Sequence, residues 1–353
     1  MQFRLGTFSS GTSTSQFAGL VLGERVYPVE RLAPLLGRLG AQLTGSESVL
    51  GLLSDWERNF EVLAGVAPAL AEHDADISGR SSAGSLADAP AESLDLHQLH
   101  VHAPINPPRQ TFCTIANYRS HLTDTVRDPA LTPRLGELDT AECLERAAKL
   151  IDERQRGLPY VCFKLPTAII GPNDPFEIPH HAQRPDWELE LGVVIGKPAR
   201  RVSPAEAMSH VAGYTLVNDI TVRELVARPD LPRLGSDWLQ SKNGPGFLPT
   251  GPWFVPAAFV PDPYALRLTF KLNGAVMQDE LVSDMLFDIA TQISFISQHA
   301  QLLPGDLICT GTPAGCGTRY KRFLKPGDVM ESTAPGFGVQ RTVCIAEGSG
   351  ATP

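Results

Sequence analysis

The spacing of hydrophobic positions in the first hundred residues predicts a small module of strands and one helix. Two short apolar runs, at residues 3–6 and 17–22, flank a turn rich in Ser, Thr and Gly and predict strands. From Val49 to Ala67 apolar residues recur at helical spacing, and Pro68 is expected to end that helix. The Ala-, Ser-, Asp- and Gly-rich stretch that follows, 74–92, predicts a surface loop.

Beyond residue 104 the pattern changes to short apolar runs broken by Gly and Pro, which predicts a β-rich core. The predicted strands lie at 111–116, 168–170, 213–217, 266–270 and 307–310. Helical periodicity appears at 141–156, 204–211 and 285–300. We therefore expect an α+β, β-rich chain with a small N-terminal α/β module, 1–103, and a larger second domain, 104–353. The charged segment 125–157 is interpreted as a lid or a surface insertion.

Composition narrows the range of partners and compartments. Apolar residues make up 42% of the 353 residues and charged residues 20%, which is typical of a packed globular protein. The net charge is −9 and no run of Lys or Arg occurs, so we expect no nucleic acid and no membrane as a partner. The six cysteines form no Cys-x-x-Cys pair, and residues 1–8 do not resemble a signal peptide. We expect a cytoplasmic protein with free thiols.

Two glutamates one residue apart, Glu188 and Glu190, are the strongest candidates for chemistry. On a strand both side chains point to one face, and the apolar residues that follow predict that this strand is buried. Two adjacent carboxylates repel each other unless a positive charge lies between them. Asp219, at the end of another apolar run, offers a third oxygen ligand of the kind that Mg²⁺ or Mn²⁺ prefers. The alternative is a pair of exposed glutamates and a helix-capping aspartate.

Three further fragments carry weaker signals. His121 and Asp124 lie on one face if a helical turn begins there, so the carboxylate can orient the imidazole as a base, although an Asp cap beside a surface His explains the spacing equally. Lys242, in a Gly/Pro-rich loop, can stabilise negative charge or simply be solvated. The turn at 310–317 can bind a carboxylate through backbone N–H groups and Thr hydroxyls, or be structural.

Taken in order along the chain, these fragments resemble the fumarylacetoacetate hydrolase family over roughly the last two-thirds of the sequence. The matching text comprises Asn117-Tyr118-x-x-His121, Phe163-Lys164-x-Pro166, Asp186-Trp187-Glu188-Leu189-Glu190-Leu191, Asn218-Asp219-Ile220-Thr221-x-Arg223, Lys242, Pro249-Thr250-Gly251-Pro252 and Thr310-Gly311-Thr312-Pro313-Ala314-Gly315. Seven fragments in a fixed order are far more specific than any one of them.

The resemblance implies a mixed β-roll, a homodimer, and a divalent cation held by Glu188, Glu190 and Asp219. It implies acylpyruvate or fumarylacetoacetate-like β-diketo acids as substrates, whose enolates chelate the cation. His121, oriented by Asp124, is then expected to activate a water, and Lys242 to stabilise the enolate. Side chains and backbone expected to bind or position the substrate are Thr312, Arg223, Lys164, Tyr118 and Gly311.

One departure from the family concerns the water-activating pair. Hydrolytic members typically carry a glutamate three residues after the histidine, where this chain has Asp124. The shorter side chain predicts either a shifted backbone or another acid from residues 127–142, such as Glu137, closing over the site.

The leading hypothesis is a Mg²⁺- or Mn²⁺-dependent hydrolase that cleaves a C–C bond in an acylpyruvate-type acid. The alternative within enzymes is a keto–enol tautomerase, isomerase, decarboxylase or hydratase that uses the same enolate chemistry. A third hypothesis, a non-catalytic binding protein on the same fold, is disfavoured by the presence of Glu188, Glu190, Asp219 and Lys242 together.

Overall fold

A computed structural model describes residues 1–11, 13–79, 92–126, 140–231 and 235–349. Its N-terminal part is an antiparallel sheet of five strands in the order β4-β3-β2-β1-β5. The strands are β1 Arg4–Ser10, β2 Phe17–Leu22, β3 Arg25–Pro28, β4 Leu94–Asp95 and β5 Leu99–His102. The two predicted strands are confirmed, and Leu5 and Phe8 of β1 and Ala18, Leu20 and Val21 of β2 are buried.

Helices α1 Ala33–Arg38, α2 Val49–Leu53 and α3 Trp56–Gly79 accompany this sheet. The prediction that Pro68 ends a helix is wrong, because α3 continues through it to Gly79. Pro68 lies on the exposed side of α3, where the lost backbone hydrogen bond faces water. The opposite side is buried at Leu63, Val66 and Leu70, and this packing outweighs the local cost of the proline. The predicted loop at 74–92 is therefore helical up to residue 79, and residues 80–91 lie outside the described part of the chain.

The central sheet has six strands in the order β15-β12-β11-β18-β6-β7. Their bounds are β6 Thr111–Ile115, β7 Tyr160–Phe163, β11 Leu189–Ile195, β12 Val211–Asn218, β15 Val255–Pro256 and β18 Leu307–Cys309. Every residue of β11 is buried, as the sequence predicted, because neighbouring strands and layers cover it on both faces. Strand β18 is parallel to β6 and antiparallel to β11, so the sheet is mixed.

A second five-stranded sheet, in the order β17-β16-β19-β20-β9, packs beside the central one. It consists of β9 Phe176–Ile178, β16 Arg267–Leu272, β17 Ala275–Leu281, β19 Val329–Thr333 and β20 Val339–Ala346. Two short ribbons pair β8 Ile169–Ile170 with β14 Leu248–Pro249, and β10 Pro185–Asp186 with β13 Thr221–Val222. Trp187, which stacks on Phe270 with ring centroids 5.4 Å apart, joins the central sheet to the second one.

The remaining helices cover the sheets or lie beside the site. They are α4 Arg119–Thr125, α5 Thr140–Gln155, α6 Pro204–Ala207, α7 Trp238–Lys242, α8 Ile289–His299 and α9 Gly317–Tyr320. The helices predicted at 141–156 and 285–300 are confirmed, with starts and ends shifted by a few residues. None of the helices in the described ranges has both the length and the apolar content that crossing a membrane requires.

The chain as a whole has the α+β architecture predicted from the sequence. The N-terminal sheet joins the rest through a backbone pair in which Leu5 and Phe254 exchange N–H···O hydrogen bonds of 3.0 and 2.8 Å. The division into domains 1–103 and 104–353 stays a prediction.

Candidate metal centre and its cavity

Three carboxylates from two neighbouring strands converge on one buried point. Glu188 and Glu190 lie at the start of β11, and Asp219 follows the end of β12. The antiparallel register pairs Leu189 with Asn218, and the Asp219 N–H donates to the Glu188 carbonyl at 2.8 Å. One carboxylate oxygen from each of the three lies within 4.8 Å of the others. The predicted triad is therefore assembled by a single strand pairing.

Three cationic side chains contact two of these carboxylates. Lys242 Nζ donates to Glu188 at 2.7 Å and to Asp219 at 2.6 Å, and Lys164 Nζ pairs with Asp219. Arg223 Nη1 lies 2.7 Å from Glu188. Burial alone would raise the pKa of Glu188, but Lys242 and Arg223 lower it below its ordinary value. Burial would likewise lower the pKa of Lys242, but the Asp219 and Glu188 carboxylates raise it well above its ordinary value. Both groups are therefore held in their charged forms.

Glu190 is the carboxylate that these cations leave uncompensated. Within the described residues no Lys or Arg nitrogen lies within 4.0 Å of it, and its Oε2 accepts the N–H of Gly311 at 2.8 Å. Burial, with the charges of Asp219 and Glu188, raises the pKa of Glu190 well above its ordinary value. A buried carboxylate beside two others is stabilised by a divalent cation, and oxygen-only donors suit Mg²⁺ or Mn²⁺. The residues present fit such an ion.

His121 faces the same site from α4. Its side chain is buried, with the residue 8% exposed, and burial lowers the pKa of the imidazole to about 4. The ring is therefore neutral near pH 7 and able to accept a proton. Its Nδ1 atom lies 3.8 Å from the Sγ atom of Cys316.

The structure does not bring Asp124 into hydrogen-bonding contact with His121. Both residues lie on α4, as predicted, but the Asp124 carboxylate pairs with Arg319 and accepts the Gly315 N–H at 3.0 Å. Gly315 comes from the turn before α9 and Arg319 from α9 itself, so the carboxylate has its recorded contacts with these groups and none with the imidazole. The alternative acid, Glu137, lies outside the described residues.

A cavity of about 380 Å³ opens beside the acidic cluster. The polar groups on its wall include Glu188, Glu190, Lys242, His121, Arg223 and Thr312. The Arg223 Nη2 atom is buried and has no hydrogen-bond partner in the described residues, so its N–H donors are available to a ligand. Carboxylates, a neutral base and cationic donors thus share one enclosed space.

Other residues predicted to bind substrate have different partners here. Lys164 is fully buried behind Asp219 and also donates to the Ile220 carbonyl at 3.2 Å. The Gly311 N–H is used by Glu190. Tyr118 is buried, its hydroxyl lacks a hydrogen-bond partner among the described residues, and it does not line the cavity. Thr312 lines the cavity, but its hydroxyl donates to the Leu189 carbonyl at 2.9 Å. Of these residues, Thr312 and Arg223 face the space where a substrate would lie.

Comparison with known proteins assigns the chain to a family. The sequence model of the C-terminal domain of fumarylacetoacetate (FAA) hydrolases matches residues 110–344. The chain belongs to the fumarylacetoacetate hydrolase family. The matched range contains every residue of the acidic cluster and of the cavity described above, and the resemblance predicted from seven short fragments is confirmed.

Relatives in this family carry out different reactions. A 2,4-didehydro-3-deoxy-L-rhamnonate hydrolase from Sphingomonas is 41% identical to this chain over 52% of the chain. The match spans 64% of that relative's length, slightly less than two-thirds. A mitochondrial oxaloacetate tautomerase from Bos taurus is 34% identical over 67% of each chain. A probable 2-hydroxyhepta-2,4-diene-1,7-dioate isomerase from Mycobacterium abscessus has a similar structure, with a TM-score of 0.65, 26% identity, and 98% and 99% of the two chains covered. Family members thus act as hydrolases, tautomerases or isomerases.

Two side chains that support this site, Asp186 and Gln278, were assigned no role from the sequence. Asp186 binds Arg223 Nε at 2.8 Å and accepts the Gly317 and Thr318 N–H groups, so it positions the guanidinium that contacts Glu188. Gln278 donates to the Thr312 hydroxyl at 2.9 Å and accepts the Leu189 N–H at 3.1 Å. Asp186 stands two residues before Glu188, within the fragment that carries the resemblance, which is a usable signal. Gln278 carries none, because it comes from a distant strand.

Proposed function

We propose that this protein is a divalent-metal-dependent hydrolase that cleaves a C–C bond in an acylpyruvate-type β-diketo acid. The observation that carries the proposal is that a neutral imidazole, His121, lines the same cavity as the carboxylates of Glu188 and Glu190. A base and an electrophilic centre within one small space are what attack of water on a carbonyl requires. The Sphingomonas relative, which is a hydrolase, supports the proposal.

The ion proposed at Glu188, Glu190 and Asp219 is Mg²⁺ or Mn²⁺, which when bound supplies Lewis acidity that lowers the energy of an enolate. The free Nη2 atom of Arg223 supports a role in binding the substrate carboxylate. The Lys242 ammonium, already within 2.7 Å of Glu188, contributes positive charge on the same side. These groups bind and orient the diketo acid with its distal carbonyl towards His121.

In the proposed reaction His121 accepts a proton from water as the water oxygen bonds to the distal carbonyl carbon. The bond between that carbon and the adjacent CH₂ then breaks, and its electron pair passes to the CH₂ carbon. There the pair is delocalised, which gives the enolate of pyruvate. Protonation of this carbon by the imidazolium of His121 returns the base to its neutral form. The products are one carboxylic acid and one pyruvate, so one water is consumed and atoms balance.

The test is to incubate the purified protein with acetylpyruvate and benzoylpyruvate in the presence of Mg²⁺ or Mn²⁺. Hydrolysis predicts loss of the enol absorbance together with equimolar release of pyruvate and the second acid. Loss of the enol absorbance without acid release would reject C–C cleavage. His121→Gln serves as the matched variant, and we expect it to lose about 10²- to 10⁴-fold in kcat while still binding the metal.

A second candidate function is keto–enol tautomerisation of a 2-oxo acid. Two observations favour it: the Asp124 carboxylate is engaged by Arg319 and is unavailable to orient His121, and the bovine relative is an oxaloacetate tautomerase. Tautomerisation needs a proton acceptor but no attacking water. The two functions are distinguished by the rate at which enol-oxaloacetate converts to its keto form, measured with and without the protein. A tautomerase raises this rate. A hydrolase that acts only on acylpyruvates leaves it unchanged.

The remaining expectations are proposals with direct measurements. Metal binding predicts a rise in the midpoint of thermal unfolding with millimolar Mg²⁺ or Mn²⁺, and the absence of this rise would favour the non-catalytic alternative.

A homodimer predicts twice the 38.1 kDa chain mass by light scattering. Exposed apolar side chains, among them Phe163 and Leu165, are consistent with a partner surface. A cytoplasmic location is proposed from the free cysteines.

A further inference from the structure

The acidic cluster is connected to an aromatic surface by one short helix. Trp238 and Lys242 lie at the two ends of α7, four residues apart, and therefore on the same side of it. The Lys242 Nζ atom lies 6.0 Å from the centre of the Trp238 ring and also contacts Glu188 and Asp219. The indole ring thus stands one helical turn away from the proposed metal centre and lines the same cavity.

A second aromatic ring extends this surface towards the solvent. The Trp238 Nε1 atom donates to the Tyr160 hydroxyl at 2.9 Å, and the two rings meet edge to face with centroids 6.1 Å apart. In the pairing of β6 with β7, Tyr160 lies opposite Ile115, which also lines the cavity. Tyr160 is 47% exposed, so the aromatic surface ends at the cavity mouth.

The wall near α7 is also apolar. Val226 also lines the cavity, and its carbonyl accepts the N–H of Asp237, the residue that caps α7. The charged residues of this region have partners already: the Glu224 carboxylate accepts the N–H groups of Gln183 and Arg184, and the Arg184 guanidinium lies 4.8 Å from the centre of the Phe323 ring. A ligand that extends from the acidic cluster along this wall can therefore contact aromatic and aliphatic carbon, besides the polar Thr125 and Ser236 of the lining.

We propose that Trp238, Tyr160, Ile115 and Val226 form the specificity subsite for the substituent of the substrate, and that this subsite takes an aromatic group. The inference rests on the proposed function, because it places the 2-oxo acid part of the ligand at Glu188, Glu190 and Asp219. A planar ring gains most from such a surface, since it can pack against the indole while its edge meets the phenol. An acetyl group reaches little of this surface.

The test uses two 2-oxo acids that lack the 4-carbonyl group and so cannot be cleaved. 2-Oxo-4-phenylbutanoate has the carbon skeleton of benzoylpyruvate, and 2-oxopentanoate has that of acetylpyruvate. Dissociation constants are measured by calorimetry with the full chain in millimolar Mg²⁺. We expect the phenyl compound to bind at least about tenfold more tightly, the discrimination that an apolar pocket commonly provides. Equal affinities, or no measurable binding of the phenyl compound, would overturn the proposal.

Variants on α7 test whether the preference for the phenyl compound originates at Trp238. Trp238→Ala is expected to weaken binding of the phenyl compound about tenfold and that of 2-oxopentanoate by less than about threefold. Trp238→Phe keeps an aromatic face and should retain most of the preference. Leu239→Ala is the matched control, because Leu239 is the next residue on the helix, is 67% exposed and does not line the cavity. Equal weakening of both ligands in Trp238→Ala would reject the subsite.

Cleavage assays separate this inference from the proposed function. If the phenyl compound is preferred and neither benzoylpyruvate nor acetylpyruvate is cleaved, the subsite stands and the hydrolase proposal fails. If acylpyruvates are cleaved with no preference for the benzoyl substrate and no effect of Trp238→Ala on that ratio, the hydrolase proposal stands and the subsite fails.

Discussion

Arg319 and Asp124 form an ion pair although they are 195 residues apart in sequence. The pair joins the end of α4 to α9, and the Gly315 N–H donates to the same carboxylate. Asp124 therefore anchors the turn that precedes α9. Its carboxylate, which the resemblance to the family would place against His121, contacts this turn and α9 instead. Asp124 thus has a structural role, and the proton transfer proposed for His121 does not depend on a contact with it.

The first prediction compares these two positions. Asp124→Asn should lower kcat/KM for acylpyruvate cleavage by less than about tenfold, whereas His121→Gln should lower it by about 10²-fold or more, because only His121 lines the cavity as a free base. Steady-state kinetics of both variants at saturating Mg²⁺ provide the comparison. Equal losses would show that the two residues act as one catalytic unit, contrary to the contacts seen here.

The second prediction concerns two glutamates on one strand. In metal-free protein at pH 8, Glu190→Gln should raise the free energy of unfolding by about 1 kcal/mol, because it removes a buried carboxylate that no Lys or Arg of the described residues contacts directly. Glu188→Gln should lower it by about 3 kcal/mol, because Lys242 and Arg223 then lose their counter-charge.

Urea unfolding in the presence of a chelator measures both changes, and repeating it with Mg²⁺ gives the metal-dependent part. Both variants are expected to lose most of the stabilisation that Mg²⁺ gives the unmodified protein. A destabilised Glu190→Gln variant would mean that Glu190 is compensated without metal.

The third prediction is a dependence of stability on pH that originates at His121. Its pKa is about 4 in the folded protein against an ordinary value of 6.5, because burial disfavours the imidazolium. Between these values the unfolded chain binds a proton that the folded chain does not, so stability rises with pH. The contribution is complete above pH 6.5 and is lost as the pH falls towards 4.

From pH 7 to pH 5 this amounts to about 2 kcal/mol. The measurement is the free energy of unfolding of metal-free protein at both pH values, with His121→Gln as the variant that lacks the group. The variant should lose correspondingly less stability on acidification. Parallel pH profiles for the two proteins would contradict a neutral buried His121.

The fourth prediction tests the turn held by Asp124. Gly315 has a φ of +97°, and a Cβ atom there would lie 1.9 Å from the Met277 carbonyl oxygen. Gly327 has a similar φ of +91°, and no heavy atom of the described residues lies within 4 Å of its Cβ position. Gly327→Ala therefore measures backbone strain alone, about 1 kcal/mol, and Gly315→Ala should cost at least about 2 kcal/mol more because of the steric clash. Equal costs in urea unfolding would show that the backbone at Met277 moves freely.

The acidic cluster of Glu188, Glu190 and Asp219 was predictable because it depends on short-range regularities. The alternation of side chains along a strand places Glu188 and Glu190 together, and one antiparallel pairing adds Asp219. The partners of Asp124 were not predictable in this way, because Arg319 approaches from a distant part of the chain. The continuation of α3 through Pro68 was missed for a related reason, since tertiary packing overrides the local preference of a proline. Trp238 and Tyr160, 78 residues apart, meet only once α7 is placed beside β7.

The position of β18 between β11 and β6 has a consequence for how the protein matures in the cell. The strand that carries the acids and the strand that leads to His121 are not direct neighbours, and residues 307–309 fill the gap between them. During translation the acids and the histidine leave the ribosome well before this strand is available. The pairing of β11 with β12 alone assembles the acids, but we expect the position of His121 relative to them to become fixed only once residues 307–309 have been synthesised.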